Sequence, residues 1–175
     1  KLMMIISDNT ASNICIELVG AEAIRQSMAE LGLHGIKLYN KFFKAPPGKP
    51  INVCSPADIG RLMDMIIRKE VLTPALCEQI IEMMGNVVSP YIPRYLPELM
   101  EPDWVEDVPN LKVIAKTGCV AGCRHEVGAV WRKGEGYVMC VMTRGCPDLR
   151  EWEDHEGVLM ISKVARAVHR HFLHS

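Results

Sequence analysis

Leu111-Lys112-Val113-Ile114-Ala115-Lys116-Thr117-Gly118 is where the chain changes its period. Upstream, apolar residues recur at helical spacing. Here they run together, and a strand is expected over 111–115 with Lys116-Thr117-Gly118 continuing the strand-like run. Two more strands are expected over 126–131 and 137–143, with Gly134-Glu135-Gly136 as the turn of an antiparallel hairpin. A closing helix over 150–173 carries Val158, Leu159, Ile161, Val164, Val168 and Phe172 at its apolar positions.

Working back towards the N-terminus, the signals are helical. Residues 8–19 form a helix capped by Asp8 or Ser7, with Ile14, Leu18 and Val19 as its apolar stripe. A second runs over 21–31, with Ile24, Met28 and Leu31 on one face and Gly32 as its stop. Ser55-Pro56 and Thr73-Pro74 each join a capping hydroxyl to a proline at the first turn, so helices begin there. The first carries Ile59, Leu62, Met63, Ile66 and Ile67, and the second runs to about Met84. Between Leu33 and Ser55 lies a long structured loop with Pro46, Pro47, Gly48 and Pro50, of the kind often used for function. A Pro-rich, acidic stretch from 85 to 109 is expected on the surface. The expected fold is α+β: a helical region over 1–110 packed beside an antiparallel sheet and C-terminal helix over 111–175, as one structural unit. Three strands with one flanking helix leave a sheet edge open, so further strands are expected from an N-terminal segment or a partner.

The totals exclude several classes of function. A hydrophobic share of 49% and a formal net charge of −1 suit a globular domain, neither disordered nor nucleic-acid-binding by bulk charge. No apolar run reaches the ~20 residues of a membrane span. The opening Lys1-Leu2-Met3-Met4-Ile5-Ile6 has no initiator Met and no signal-peptide layout, and reads as the interior or C-terminal part of a longer protein. Seven cysteines, an odd and scattered set, suit reduced, buried thiols better than a disulfide scaffold.

Two motifs carry chemistry. Ser7-Asp8-Asn9 opens the first helix and Lys116-Thr117-Gly118 lies in the strand. Serine acyl-enzymes that recognise penicillins carry S-x-x-K, S-D-N and K-T-G in that order. The latter two are present, but no Ser here has Lys three positions later. The stretch Ser7-Asp8-Asn9-Thr10-Ala11-Ser12-Asn13, the Ser55-Pro56-Ala57-Asp58 helix start, Val113 to Gly118, Gly122-Cys123-Arg124-His125-Glu126-Val127-Gly128 and Thr143-Arg144-Gly145 follow in family order. On these residues the sequence resembles the class A β-lactamase-like branch of the penicillin-recognising serine hydrolases, over nearly all its length.

The resemblance implies a β-lactamase/transpeptidase-like fold and roles for named residues. Ser7 would relay a proton to the leaving nitrogen, and Asn9 would bind the substrate amide. Lys116 would sit against Ser7 and supply positive potential, while Thr117 beside Gly118 binds the substrate carboxylate. Cys119 would lend its backbone N–H to an oxyanion hole, and Arg124 or His125 would assist carboxylate binding. It implies no cofactor, a β-lactam or D-Ala-D-Ala-like substrate, an S-x-x-K element from a missing segment or second chain, and a secreted or periplasmic setting.

Each motif also has a plain reading. Ser7-Asp8 alone is a helix cap, and Lys116-Thr117-Gly118 alone is a strand ending in a turn. Cys119-x-x-x-Cys123-x-His125 lacks the second ligand pair of a zinc site. Met63, Met65, Met83 and Met84 read as core or subunit contact. His169, His171 and His174 suit a helix C-terminus, where cations complement the dipole.

The sequence departs from the family in two ways. S-x-x-K is absent, and no Asp or Glu occurs between Glu30 and Asp58, where efficient class A enzymes carry the deacylating glutamate. The aligned place is near Phe42, amid Lys37, Lys41, Lys44 and Lys49, none of which takes a proton from water as a carboxylate does. Three functions remain open: a β-lactamase-like hydrolase, a D,D-peptidase or transpeptidase with slow deacylation, and a non-catalytic binding or scaffold protein of the same fold.

Overall fold

In a computed structural model the protein is described over residues 1–44, 46–48, 50–100, 111–150 and 154–173. Contacts divide the chain into two compact units, Lys1–Met83 and Met84–Ser175.

The first unit is helical. A short α1 (Leu2–Ile5) leads through Ser7 into α2 (Asn9–Val19), followed by α3 (Ala21–Glu30), α4 (Pro56–Ile67) and α5 (Pro74–Met84), the last ending at the unit boundary. Asp8 caps α2, its Oδ1 accepting from the Ala11 N–H at 2.6 Å. Ser55 caps α4 by accepting from the Asp58 N–H at 3.1 Å, with Pro56 at the first turn as its sequence signal requires. Ile24, Met28 and Leu31 share the half-buried face of α3, while Met63 of α4 and Met84 of α5 are buried. The stripe expected on α2 is different. Ile14, Leu18 and Val19 are 52%, 81% and 59% exposed, and Ser12 with Ile16 forms the buried line instead. Helical spacing identified residues that share a face, but the covered face of α2 is another one.

The second unit is a three-stranded antiparallel sheet with helices. The strands β1 (Leu111–Val120), β2 (Cys123–Arg132) and β3 (Glu135–Met142) run in the order β1-β2-β3. The first two are longer than their sequence pattern indicated, because polar residues such as Lys116 and Thr117 stay in the ladder. The register sets Lys116 opposite Val127, Thr117 opposite Glu126, Gly118 opposite His125 and Cys119 opposite Arg124. The β2–β3 turn is Lys133-Gly134 rather than Gly134-Glu135-Gly136. Both turn residues have positive φ, 52° and 90°, as a primed two-residue hairpin requires. Gly136 is already in β3, where the Trp131 ring occupies the space a Cβ would need.

A 3-10 helix (Ile92–Tyr95) and α6 (Pro97–Met100) precede the sheet. The stretch expected at the surface continues beyond them, and its part over 101–109 lies outside the described residues. The C-terminal helix α7 (Glu156–Leu173) begins later than expected, and residues 151–153 before it are likewise outside the described residues. Its Val158, Ile161 and Ala165 are buried, Ile161 and Ala165 against Ile92, Leu96, Val130, Tyr137 and Met139, which form the core. Full burial of a side chain such as Ile161 is worth about 2 kcal/mol. His169 belongs to this core rather than to an exposed helix end: it is fully buried, with Nδ1 3.3 Å from the Tyr137 hydroxyl. His171 lies edge-on to Phe172, and His174 is outside the described residues.

Candidate active site

Ser7 sits in the turn between α1 and α2 with φ 54°, a left-handed conformation uncommon for a residue with a Cβ. Such backbone costs about 1 kcal/mol or more and gathers at functional sites. Ser7 and Asn9 flank the capping Asp8, both exposed at the rim of the helix start. The cap is therefore Asp8, and the Ser7 side chain is not needed for it. The Ser12 hydroxyl donates to the Asp8 carbonyl at 2.8 Å and stiffens the same turn.

Asn13, one turn further along α2, holds the loop. Its Oδ1 accepts the Phe42 N–H at 2.7 Å and its Nδ2 donates to the Phe42 carbonyl at 3.2 Å. Asn52 does the same for the loop's other arm, accepting from the Tyr39 and Asn40 N–H groups and donating to the Asn40 carbonyl. A Lys37–Val53 bridge closes the loop's base. The Phe42 backbone is thus held in place although the residue is exposed. Lys49 lies outside the described residues. Lys41 is 3.3 Å from Glu17 of α2.

In the second unit, Lys116 is half-buried on β1 and its Nζ donates to the Thr117 carbonyl at 2.9 Å. Burial lowers its pKa, and the charge of Glu126 opposes that shift. Thr117 and Gly118 are partly exposed and Cys119 fully so. Cys119 shares a sheet face with Arg124, and Cys123 and His125 lie on the other. The three side chains of the Cys-x-x-x-Cys-x-His spacing therefore do not converge. All seven cysteines are free, but Cys15, Cys54 and Cys119 are exposed, against the expectation of buried thiols.

Arg124 and His125 separate clearly. Arg124 is 1% exposed, and its guanidinium donates to the carbonyls of Val120, Cys123 and Arg150. Thr143 fixes its backbone, accepting from the Arg124 N–H and donating to its carbonyl. This cation holds the end of the hairpin. The His125 ring lies close over Gly118, where an added Cβ would stand 3.4 Å from the histidine Cβ. Its Nδ1 is buried without a hydrogen-bond partner among the described residues. Burial lowers its pKa, partly offset by the backbone at Arg124.

Glu126, which the sequence did not single out, is 1% exposed. Its two oxygens accept the N–H groups of Tyr91 and Ile92 at 2.8 and 2.5 Å, joining β2 to the start of the 3-10 helix. Burial pushes its pKa up to about 7 against the pull of those bonds and of Lys116. Strand alternation was the available signal: Glu126 falls in phase with Gly128 and Val130 on the buried face.

The Beta-lactamase enzyme family profile matches residues 1–172. Among solved structures, a β-lactamase from Sphaerobacter thermophilus DSM 20745 is 28% identical, with a TM-score of 0.79 over 94% of this chain and 58% of its own. PBP-A is also 28% identical, with a TM-score of 0.77 over 97% of this chain and 58% of its own. A point mutant of PBP-A, solved as an acyl-enzyme complex with penicillin G, is 28% identical and matches at 0.76 with the same coverage. No curated protein matches. The chain thus spans about three-fifths of the length of these solved relatives. The fold is of the β-lactamase/transpeptidase type, and with a match over 172 of 175 residues the chain belongs to the β-lactamase enzyme family.

Proposed function

We propose that the chain supplies the S-D-N and K-T-G parts of an acyl-transfer site acting on β-lactam amides through an acyl-enzyme. The observation that carries this reading is Lys116, half-buried on a strand beside partly exposed Thr117 and Gly118, in a chain of this family. The attacking hydroxyl belongs to an S-x-x-K element that this sequence does not contain. In the proposed step that hydroxyl oxygen bonds to the lactam carbonyl carbon and the C–N bond breaks. The hydroxyl proton passes through Ser7 to the departing nitrogen. Asn9 binds the substrate amide and Thr117 its carboxylate, while His125 lies on the other sheet face, beside Gly118 and Lys116. Lys116 supplies the positive potential, and the Cys119 N–H meets the developing oxyanion. Arg124 is left out of substrate binding because its guanidinium is engaged by backbone carbonyls.

A second reading, a penicillin-binding-protein-like enzyme with slow deacylation, is favoured by one observation. No carboxylate occurs between Glu30 and Asp58, and the Phe42 backbone of the loop there is anchored by Asn13 where a deacylating base is expected. Labelled penicillin, applied to the protein together with its S-x-x-K polypeptide, tests the first reading. Lys116→Ala should slow labelling about 100-fold or more, as loss of a single electrostatic stabiliser does. Labelling at the wild-type rate would remove Lys116 from the site. Stable labelling that decays over hours rather than seconds would select the second reading. No labelling of the wild type would favour a scaffold.

A further inference from the structure

The carboxylate of Glu126 is an unusual group to bury on the middle strand of a sheet. Taking a charge from water is costly unless it is hydrogen-bonded and balanced. Both oxygens accept backbone N–H groups at the start of the 3-10 helix, so the geometry suits the ionised form. A protonated acid would turn one of those acceptors into a donor facing a donor. The register places Glu126 opposite Thr117, one position from Lys116. The Lys116 side chain leaves β1 on the other face, but its ammonium folds back onto the Thr117 carbonyl. A half-buried cation and a buried anion are thereby held at adjacent rungs of the β1–β2 ladder, each acting on the other's charge.

We infer that Glu126 is a positioning residue for the K-T-G strand: it fastens the Tyr91–Ile92 backbone to β2 and provides the negative charge against which Lys116 keeps its cation. The catalytic consequence rests on the acyl-transfer reading above, whereas the structural consequence does not. Several other charged or titratable groups on the surrounding elements have described partners of their own, and Cys119 shares the Glu126 face of the sheet at its exposed end. Arg124, on the same strand and face, is held by three carbonyls, and Tyr137 and His169 face each other. His125 and Cys140 point to the opposite sheet face, as the stem of Lys116 does. Arg94 of the 3-10 helix stacks on Tyr95. Lys116 is the cation whose field favours ionised Glu126, and the effect is mutual.

The state of Glu126 is readable without any activity. In the wild-type chain, the Tyr91 and Ile92 amide resonances and the Lys116 side-chain signal should shift together through one transition near pH 7. In Glu126→Gln that shared transition should vanish, while Glu126→Asp should restore it in part. Amides and Lys116 that titrate separately, or a transition that survives in the Gln variant, would overturn the inference. The wild-type titration alone decides the matter if a variant fails to fold. Where penicillin labelling occurs, its rate should rise through the same pH in the wild type and lose that limb in Glu126→Gln, by roughly tenfold above pH 8. An absent labelling reaction would count against the acyl-transfer reading, and the coupled titration would still stand or fall by itself.

Discussion

Arg124 and Glu126 sit two residues apart on one strand, both 1% exposed, and both are satisfied by backbone rather than by each other. A hydrogen bond to a charged group contributes about 1.5–3 kcal/mol, and a buried carbonyl left unpaired costs a comparable amount. Arg124→Met keeps most of the side-chain volume but abandons the carbonyls of Val120, Cys123 and Arg150. It should lower unfolding stability by about 3 kcal/mol, measured by urea denaturation; a loss under about 0.5 kcal/mol would show that the carbonyls find water. Glu126 makes a prediction in pH. Its folded pKa of about 7 lies above the ordinary carboxylate value of 4.5, so folding takes up a proton between them. Its contribution is therefore fully present below pH 4.5 and is lost as pH rises through 7. The local slope approaches about −1.4 kcal/mol per pH unit at most. Comparing the pH dependence of stability in wild type and Glu126→Gln isolates this slope. Identical curves would mean the carboxylate is not perturbed.

At the scale of elements, what was legible in the sequence was what local chemistry decides. Ser55-Pro56 and Asp8 cap their helices because a side-chain oxygen meets a free N–H whatever else the fold does. The strands were found but the first two were cut short, since Lys116 and Thr117 look like a strand end until the partner strand is known. The hairpin turn was misplaced by one residue because glycines flank Glu135, and only the register shows that Lys133 takes the left-handed position. Gly134→Ala forces a Cβ into φ 90° and should cost about 1 kcal/mol in thermal unfolding. No loss would mean the turn re-forms elsewhere. Asn13 stood in a motif with no role assigned to it, and the structure makes it the organiser of the loop. Asn13→Ala removes both hydrogen bonds to Phe42 and should raise amide exchange in the 39–44 loop about tenfold or more, with α2 unchanged. The stripe of Ile14, Leu18 and Val19 was read from the sequence but its exposure was not, because periodicity shows which residues share a face, not which face is covered.

For the molecule as a whole, the family was readable from two tripeptides in order, together with the stretches that follow them in the same order. The division of labour among their neighbours was not. Arg124 and His125 are adjacent in sequence and differ in which side of a strand they take, a distinction that the register makes and composition does not. Glu126 was passed over because the backbone that holds it, at Tyr91 and Ile92, lies 35 and 34 residues away in the sequence. The chain covers 58% of the length of the Sphaerobacter β-lactamase and of PBP-A, and the central claim is that its residues belong to an acylating site. No described helix is long and apolar enough to cross a membrane. The decisive experiment is intact-protein mass spectrometry of the purified protein, with any polypeptide that accompanies it, before and after excess penicillin. The account predicts a penicillin-sized mass increase on the polypeptide that bears S-x-x-K, lost when Lys116→Ala is introduced. No adduct on any species at any time, with no consumption of the penicillin, would contradict it.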